Sequence, residues 1–107
     1  MIYLPQPIVI DEAKITRYLL VPLAKDDKSG FLARAGYKLD NWQQLRADLM
    51  EQALNQMAEF IVMTRYGEKY QVRGVLPGMN GTGLRILSIW MVSKPETRFI
   101  TLVPDKF

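Results

Sequence analysis

The chain has 107 residues, 49% hydrophobic and 23% charged, a balance that supports a packed core and excludes a disordered chain. Without cysteine it has no disulfide and no thiolate metal site. Without histidine it excludes Ser-His-Asp and Cys-His nucleophiles, histidine acid–base chemistry and His-ligated zinc, so any catalysis runs on Lys, Arg, Tyr, Ser, Thr or carboxylates.

The net charge of +3 is unevenly placed. Residues 1–56 carry seven basic and seven acidic groups, whereas residues 57–107 carry seven and four. The basic excess therefore belongs to the C-terminal half, where it would attract phosphates; the plainer reading is ordinary solubility. The opening MIYLPQPIVIDEAK lacks the basic n-region of a leader. No apolar run approaches the roughly 18 residues of a membrane-spanning helix. A cytoplasmic protein with no membrane partner is expected.

In chain order, Pro5 and Pro7 make residues 1–10 an extended lead-in, with residues 8–10 either a short strand or apolar packing. Asp11 is placed to cap a helix in which Ile15, Tyr18 and Leu19 recur at helical spacing until Pro22. A polar loop over 24–29 precedes a short helix over 29–35, with Gly36 at its left-handed end. Asp40 with Gln43 three residues on resembles a capping box for a helix over 41–57, whose Trp42, Leu45, Leu49 and Ala53 share one face.

After Met57 the period changes to that of strands. Strands are expected over 60–65 and 69–76, joined by a turn at Gly67 and Glu68; over 84–92, after the turn-rich PGMNGTG (77–83); and over 97–103, after a turn at residues 93–96. The predicted fold is α+β: two or three N-terminal helices packed on one face of a four-stranded antiparallel β-meander. It is read as a single domain, 1–107, with the lead-in at 1–10, a helical part at 11–57 and the sheet at 58–104.

A turn at Gly67 and Glu68 would set Tyr66 across from Lys69, Thr64 from Gln71 and Val62 from Arg73. Ile61, Met63, Tyr70, Val72 and Leu76 would then face the helices. The open face would display Tyr66, Lys69, Gln71 and Arg73, two cations and a phenol suited to a phosphodiester and a stacked base, or simply a solvated face with polar cross-strand pairs. In the last strand, alternation sets Arg98 and Thr101 on opposite faces unless a bulge intervenes. Trp90 is read as core or as a stacking platform. Lys28, between Asp27 and Ser29, reads as part of a loop ion cluster. PGMNGTG lacks the Gly-x4-Gly-Lys-Ser/Thr spacing of a phosphate loop, and Asp26 with Asp27 is a weak metal signal, so no metal and no cofactor are expected.

The strings KITRYLL (14–20), KSGFLARAGY (28–37), NWQQL (41–45), YGEKYQVRGVLPGMNG (66–81), SIWMV (88–92) and TRFITLVP (97–104) resemble an uncharacterised family of short bacterial domains. Members are similar to stand-alone small proteins or to C-terminal modules of larger secreted or phage-linked proteins. The layout also resembles the barnase–colicin–RelE ribonuclease superfold, in which helices back a four-stranded meander and the open sheet face cuts RNA. That resemblance implies Lys28, Tyr66, Arg98 and Thr101 as site residues. It departs from the pattern in having Glu96 and Thr97 between Pro95 and Arg98.

Two functions are expected on this reading. One is an RNA-cleaving or RNA-binding module of toxin type, and as an enzyme it would be a metal-independent endoribonuclease. Lys28, Lys69, Arg73, Arg98 and Thr101 would be its catalytic set, and Tyr66, Gln71 and Trp90 would contact substrate. The other is a non-enzymatic protein-binding module: an antitoxin, immunity or accessory subunit. The partners on these readings are RNA, a small protein encoded nearby, or a second copy joined through a sheet edge. Whether the chain is an enzyme is left open by the residues alone.

Overall fold

Residues 1–106 are described by the computed structural model. The helical part begins with α1 (Glu12–Lys14), which widens at once into a π-helical turn, Ile15–Leu19, where the Leu20 N–H bonds the Ile15 carbonyl at 3.1 Å. The wide turn buries Ile15, Leu19 and Leu20 together. Asp11 precedes α1 but makes no side-chain cap. Helix α2 spans Ser29–Ala33, and Gly36 follows it at φ 84°. Helix α3 spans Trp42–Asn55. Its start is organised by Asn41 and not by Asp40: Asn41 accepts the Lys38 N–H at 2.9 Å and donates to the Gly36 carbonyl at 2.9 Å, across a 3-10 turn over Leu39–Asn41.

The sheet has six strands, not four, and is mixed, not purely antiparallel. Strands β1 (Ile2–Tyr3), β2 (Ile8–Val9), β3 (Met57–Thr64), β4 (Gly67–Leu76), β5 (Leu84–Ser93) and β6 (Glu96–Pro104) lie in the order β1-β3-β4-β5-β6-β2. The expected meander is its centre. The lead-in supplies both additions: β1 antiparallel to β3, and β2 parallel to β6. Thr97 fixes the second by donating its N–H to the Pro7 carbonyl and its hydroxyl to the Pro5 carbonyl. Segments of two residues carry too little alternation to be read as strands from sequence.

The β3–β4 turn is at Arg65 and Tyr66, one pair earlier than expected, with Thr64 opposite Gly67 and Val62 opposite Lys69. Gly67 is required there. Its φ is 137°, and a Cβ would lie 2.3 Å from the Val92 carbonyl oxygen. Ile61 is an unpaired bulge, so the face alternation of β3 changes across it. Ile61 and Met63 do not pack under the helices, as strict alternation had suggested; both are exposed.

On β4 and β5 the alternation holds, and on β6 it is interrupted once, at Ile100. Tyr70, Val72, Leu76, Ile86, Ser88, Trp90, Phe99 and Leu102 are buried on the side of the helices, where they meet Leu45, Leu49 and Ala53 of α3. On the opposite face, residues 69, 71, 73 and 75 of β4 and 85, 87, 89, 91 and 93 of β5 all retain exposure.

Candidate functional site at the open sheet face

The register of the three central strands decides which candidate side chains share this face. Lys69 pairs with Met91, and Met91 with Arg98; Gln71 pairs with Ile89, and Ile89 with Thr101; Arg73 pairs with Leu87, and Leu87 with Val103. These are three successive rows across β4, β5 and β6. A bulge at Ile100, between Phe99 and Thr101, puts Arg98 and Thr101 on one face despite their odd separation. Adjacent rows stand about 7 Å apart, and Lys69 and Arg98 are two strand spacings apart, about 10 Å.

Tyr66, Met91, Ser93, Pro95, Arg98 and Ile100 line a cavity of about 490 Å³ at the end of this face, between the two hairpin turns, with Glu96 at its wall. Tyr66 is held there by its neighbours. Its N–H bonds the Thr64 hydroxyl at 3.0 Å, and the Arg65 guanidinium donates to its phenol oxygen at 3.0 Å while lying 5.1 Å from the ring centre. Arg98 Nε is 2.5 Å from Glu96 Oε2, a close ion pair without hydrogen-bond alignment, since that oxygen is buried and has no hydrogen-bond partner. Lys69 makes no ion pair or hydrogen bond with another side chain among the described residues, and it stands one row-width from this cavity across Met91.

The other candidates are elsewhere or differently engaged. Arg73 is bound to Asp105, at the far end of the sheet beside a smaller hollow of about 190 Å³. Gln71 and Thr101 are in the middle row. The Thr101 hydroxyl is 2.9 Å from the Tyr18 phenol oxygen and 3.3 Å from the Leu102 carbonyl. Trp90 is wholly buried, its Nε1–H donating to Ser88 Oγ at 2.8 Å and its ring edge-on to Phe99, so it cannot stack on a base. Lys28 lies at the start of α2 with its Nζ 3.4 Å from the Asp26 carbonyl, not on a carboxylate. The loop anion beside it is Asp27, which accepts the Ser29 hydroxyl at 2.8 Å and the N–H groups of Leu23 and Ser29; these bonds, the hydroxyl first, hold its carboxyl below the usual range.

Two features were missed in the sequence. Tyr18 enters the sequence reading only by its helical spacing with Ile15 and Leu19, yet its phenol reaches the Thr101 hydroxyl and the Lys14 ammonium lies 5.6 Å from its ring. A cation four residues before an aromatic on one helical turn was the available signal. Met91, Ser93 and Ile100 also line the cavity, and nothing in their residue types marks them.

No group of three or more Asp or Glu side chains among the described residues stands close enough to hold a metal ion. No helix among them is long and apolar enough to cross a membrane. The fold is similar to a chain in the contact-dependent growth inhibition toxin–immunity protein complex from Klebsiella pneumoniae 342, with 18% identity, a TM-score of 0.67, and coverage of 92% of this chain and 94% of that one. No curated protein matches the sequence. Residues 5–106 match the family described as "Domain of unknown function (DUF6883)", and the chain belongs to that family.

Proposed function

We propose that the chain is a toxin-type module that binds and cleaves RNA on the open sheet face without a metal ion. The pairing register is the observation that supports this most: it gathers Lys69, Gln71, Arg98 and Thr101 on one face, with Tyr66 at the cavity beside them. Likeness of fold to a chain of a toxin–immunity complex adds to it, although fold alone does not carry function.

In this reading the backbone phosphate lies over β5, between Lys69 and Arg98. The ribose 2′-hydroxyl attacks the adjacent phosphorus and gives its proton to solvent water at the open face, from which Lys69 is reprotonated after the step. A bond forms from O2′ to phosphorus while the bond to the 5′-oxygen breaks, leaving a cyclic phosphate and a 5′-hydroxyl. Arg98 stabilises the negative charge that builds on the phosphoryl oxygens, and binding requires it to exchange Glu96 for phosphate. The Lys69 ammonium gives a proton to the departing 5′-oxygen. Thr101 hydrogen-bonds the phosphate, and Tyr66 stacks on a neighbouring base.

Incubation of the pure protein with total RNA in EDTA tests this. Discrete fragments ending in cyclic phosphate are expected, and growth arrest is expected when the chain is expressed alone. RNA that stays intact at high protein excess would sink the nuclease reading.

A second reading, a protein-binding module, is favoured by the run of exposed apolar side chains on β3. It predicts a stable complex with a small protein encoded nearby while RNA is left whole.

A further inference from the structure

The strongest surface anomaly lies at the β3 edge, one strand beyond the basic rows. β1 pairs with β3 only at Met57 and Ala58, so residues 60–64 have no strand beside them on the side away from β4. Phe60, Ile61, Val62 and Met63 are four consecutive apolar side chains, each 40 to 62% exposed. Such an edge offers unpaired backbone donors and acceptors together with apolar surface, the combination most proteins avoid.

We infer that this edge is completed by the same edge of a second copy, in a two-fold antiparallel pairing centred on Met63. Three observations support that occupant. First, the regular stretch of this edge, between the bulge at Ile61 and the turn at Arg65, is centred on Met63. Val62 pairs with Lys69 and Thr64 with Gly67, so both lie toward the open face, whereas Met63 pairs with Glu68 on the other side. Met63 opposite itself sets Val62 against the partner copy's threonine and keeps every face matched, as a two-fold pairing demands. Second, the bulge at Ile61 lies outside the three residues that pair, so it does not interrupt them.

Third, the surface is large enough. In this register the Arg65–Tyr66 turn of each copy stands opposite Phe60 of the other, next to Met1 and Ile2. Met1, Ile2, Phe60, Ile61, Val62 and Met63 are each 40 to 75% exposed. At roughly 200 Å² per side chain they offer on the order of 650 Å². The paired backbone brings this near the roughly 800 Å² per partner of a stable interface.

The absence of cysteine gives a direct test. Cα atoms of directly opposed antiparallel residues are about 4.5–5.5 Å apart, within disulfide range. Met63→Cys in the full chain should oxidise to a disulfide dimer under dilute, mild conditions. Met79→Cys, also exposed (47% against 62% for Met63) but in the loop over 77–83, should not. Sedimentation of the unmodified chain should show a species of twice the 12.3 kDa chain mass that grows with concentration, and Val62→Lys should abolish it while leaving the circular dichroism unchanged. A single 12.3 kDa species up to millimolar concentration overturns the inference. So does a dimer that Val62→Lys leaves intact, or equal cross-linking from both cysteine variants. An edge that stays unpaired until a different protein is added assigns it to that protein and overturns self-pairing as well.

Discussion

The two faces of one sheet solve opposite problems. Toward the helices, β4, β5 and β6 present Tyr70, Val72, Leu76, Ile86, Trp90, Phe99 and Leu102, all buried, and the polar exceptions are absorbed: Trp90 donates to Ser88, whose hydroxyl reaches the Val72 carbonyl at 3.4 Å. Away from the helices the same strands present Lys69, Gln71, Arg73, Arg98 and Thr101 around a middle strand of Leu87, Ile89 and Met91. The contrast shows that one register, with its bulge at Ile100, separates the packed side chains from the polar ones. A change on one face should therefore move stability and leave the proposed RNA cleavage alone, and a change on the other should do the reverse.

The largest effect is expected on the helix face. Trp90→Ala removes a fully buried ring and should cost about 3–5 kcal/mol in urea unfolding. On the open face, Arg98→Ala should lower RNA cleavage about 100-fold or more, close to 3 kcal/mol of transition-state stabilisation, and shift the unfolding midpoint little. Arg73 divides from Arg98 although both are arginines on the same face. Its partner Asp105 has a side chain only 6% exposed, against 28% for Glu96. Arg73→Ala should therefore destabilise by roughly 1–2 kcal/mol by removing an ion pair from that buried carboxylate, with cleavage kept within threefold. If Arg73→Ala abolishes cleavage in a folded protein and Arg98→Ala does not, the assignment of the two ends of the face is reversed.

Much of this division was legible beforehand, for a physical reason. On β4 the alternation of Tyr70, Val72 and Leu76 with Lys69, Gln71 and Arg73 has a period of two, and burial follows it. The class of fold, the helix at 42–55 and the turn over 77–83 came from similarly strong local signals. Register did not. The turn at Arg65 and Tyr66 and the bulges at Ile61 and Ile100 depend on close packing that no local pattern announces, such as the approach of Gly67 to the Val92 carbonyl. Arg98 and Thr101 share a face only because of the second bulge. The engagement of Arg73 by Asp105 and of Thr101 by Tyr18 spans 32 and 83 residues, beyond any motif.

Not every helix-face contact is settled. Gln52 on α3 is 5% exposed, and neither side-chain amide atom has a hydrogen-bond partner among the described residues. It lies over Gly74 of β4, where a Cβ would stand 2.8 Å from Gln52 Oε1. Gln52→Met keeps the length, removes the unpaired amide and should stabilise the fold by about 1 kcal/mol. Gly74→Ala should destabilise wild type by roughly 1 kcal/mol or more. The loss should largely vanish in a Gln52→Ala background, and a double-mutant cycle measures that coupling. Additive losses in the cycle would mean that the glycine is needed for its backbone and not for room.

The smallest effect separates the faces by pH. Tyr37 is buried beneath the loop over 77–83. It donates to Asp48 Oδ2 at 2.6 Å and accepts the Gly78 N–H at 3.0 Å. Burial first, and then the bond to Asp48, raise its phenol well above the ordinary value of 10.0. Tyr70 is raised too, first by its bond to Glu68. A phenol held protonated in the fold contributes its full share while the unfolded chain's phenol is also protonated. Above about pH 10 the unfolded phenol ionises first, so stability falls as pH climbs toward the folded value. The urea midpoint of wild type should therefore decline above that pH, with phenolate absorbance from Tyr37 appearing only on unfolding. Tyr37→Phe should be less stable at pH 8, where it lacks the bond to Asp48, and its midpoint should decline less steeply on alkaline titration. An unchanged slope in Tyr37→Phe would place the alkaline sensitivity elsewhere, and would leave the buried phenol as packing alone.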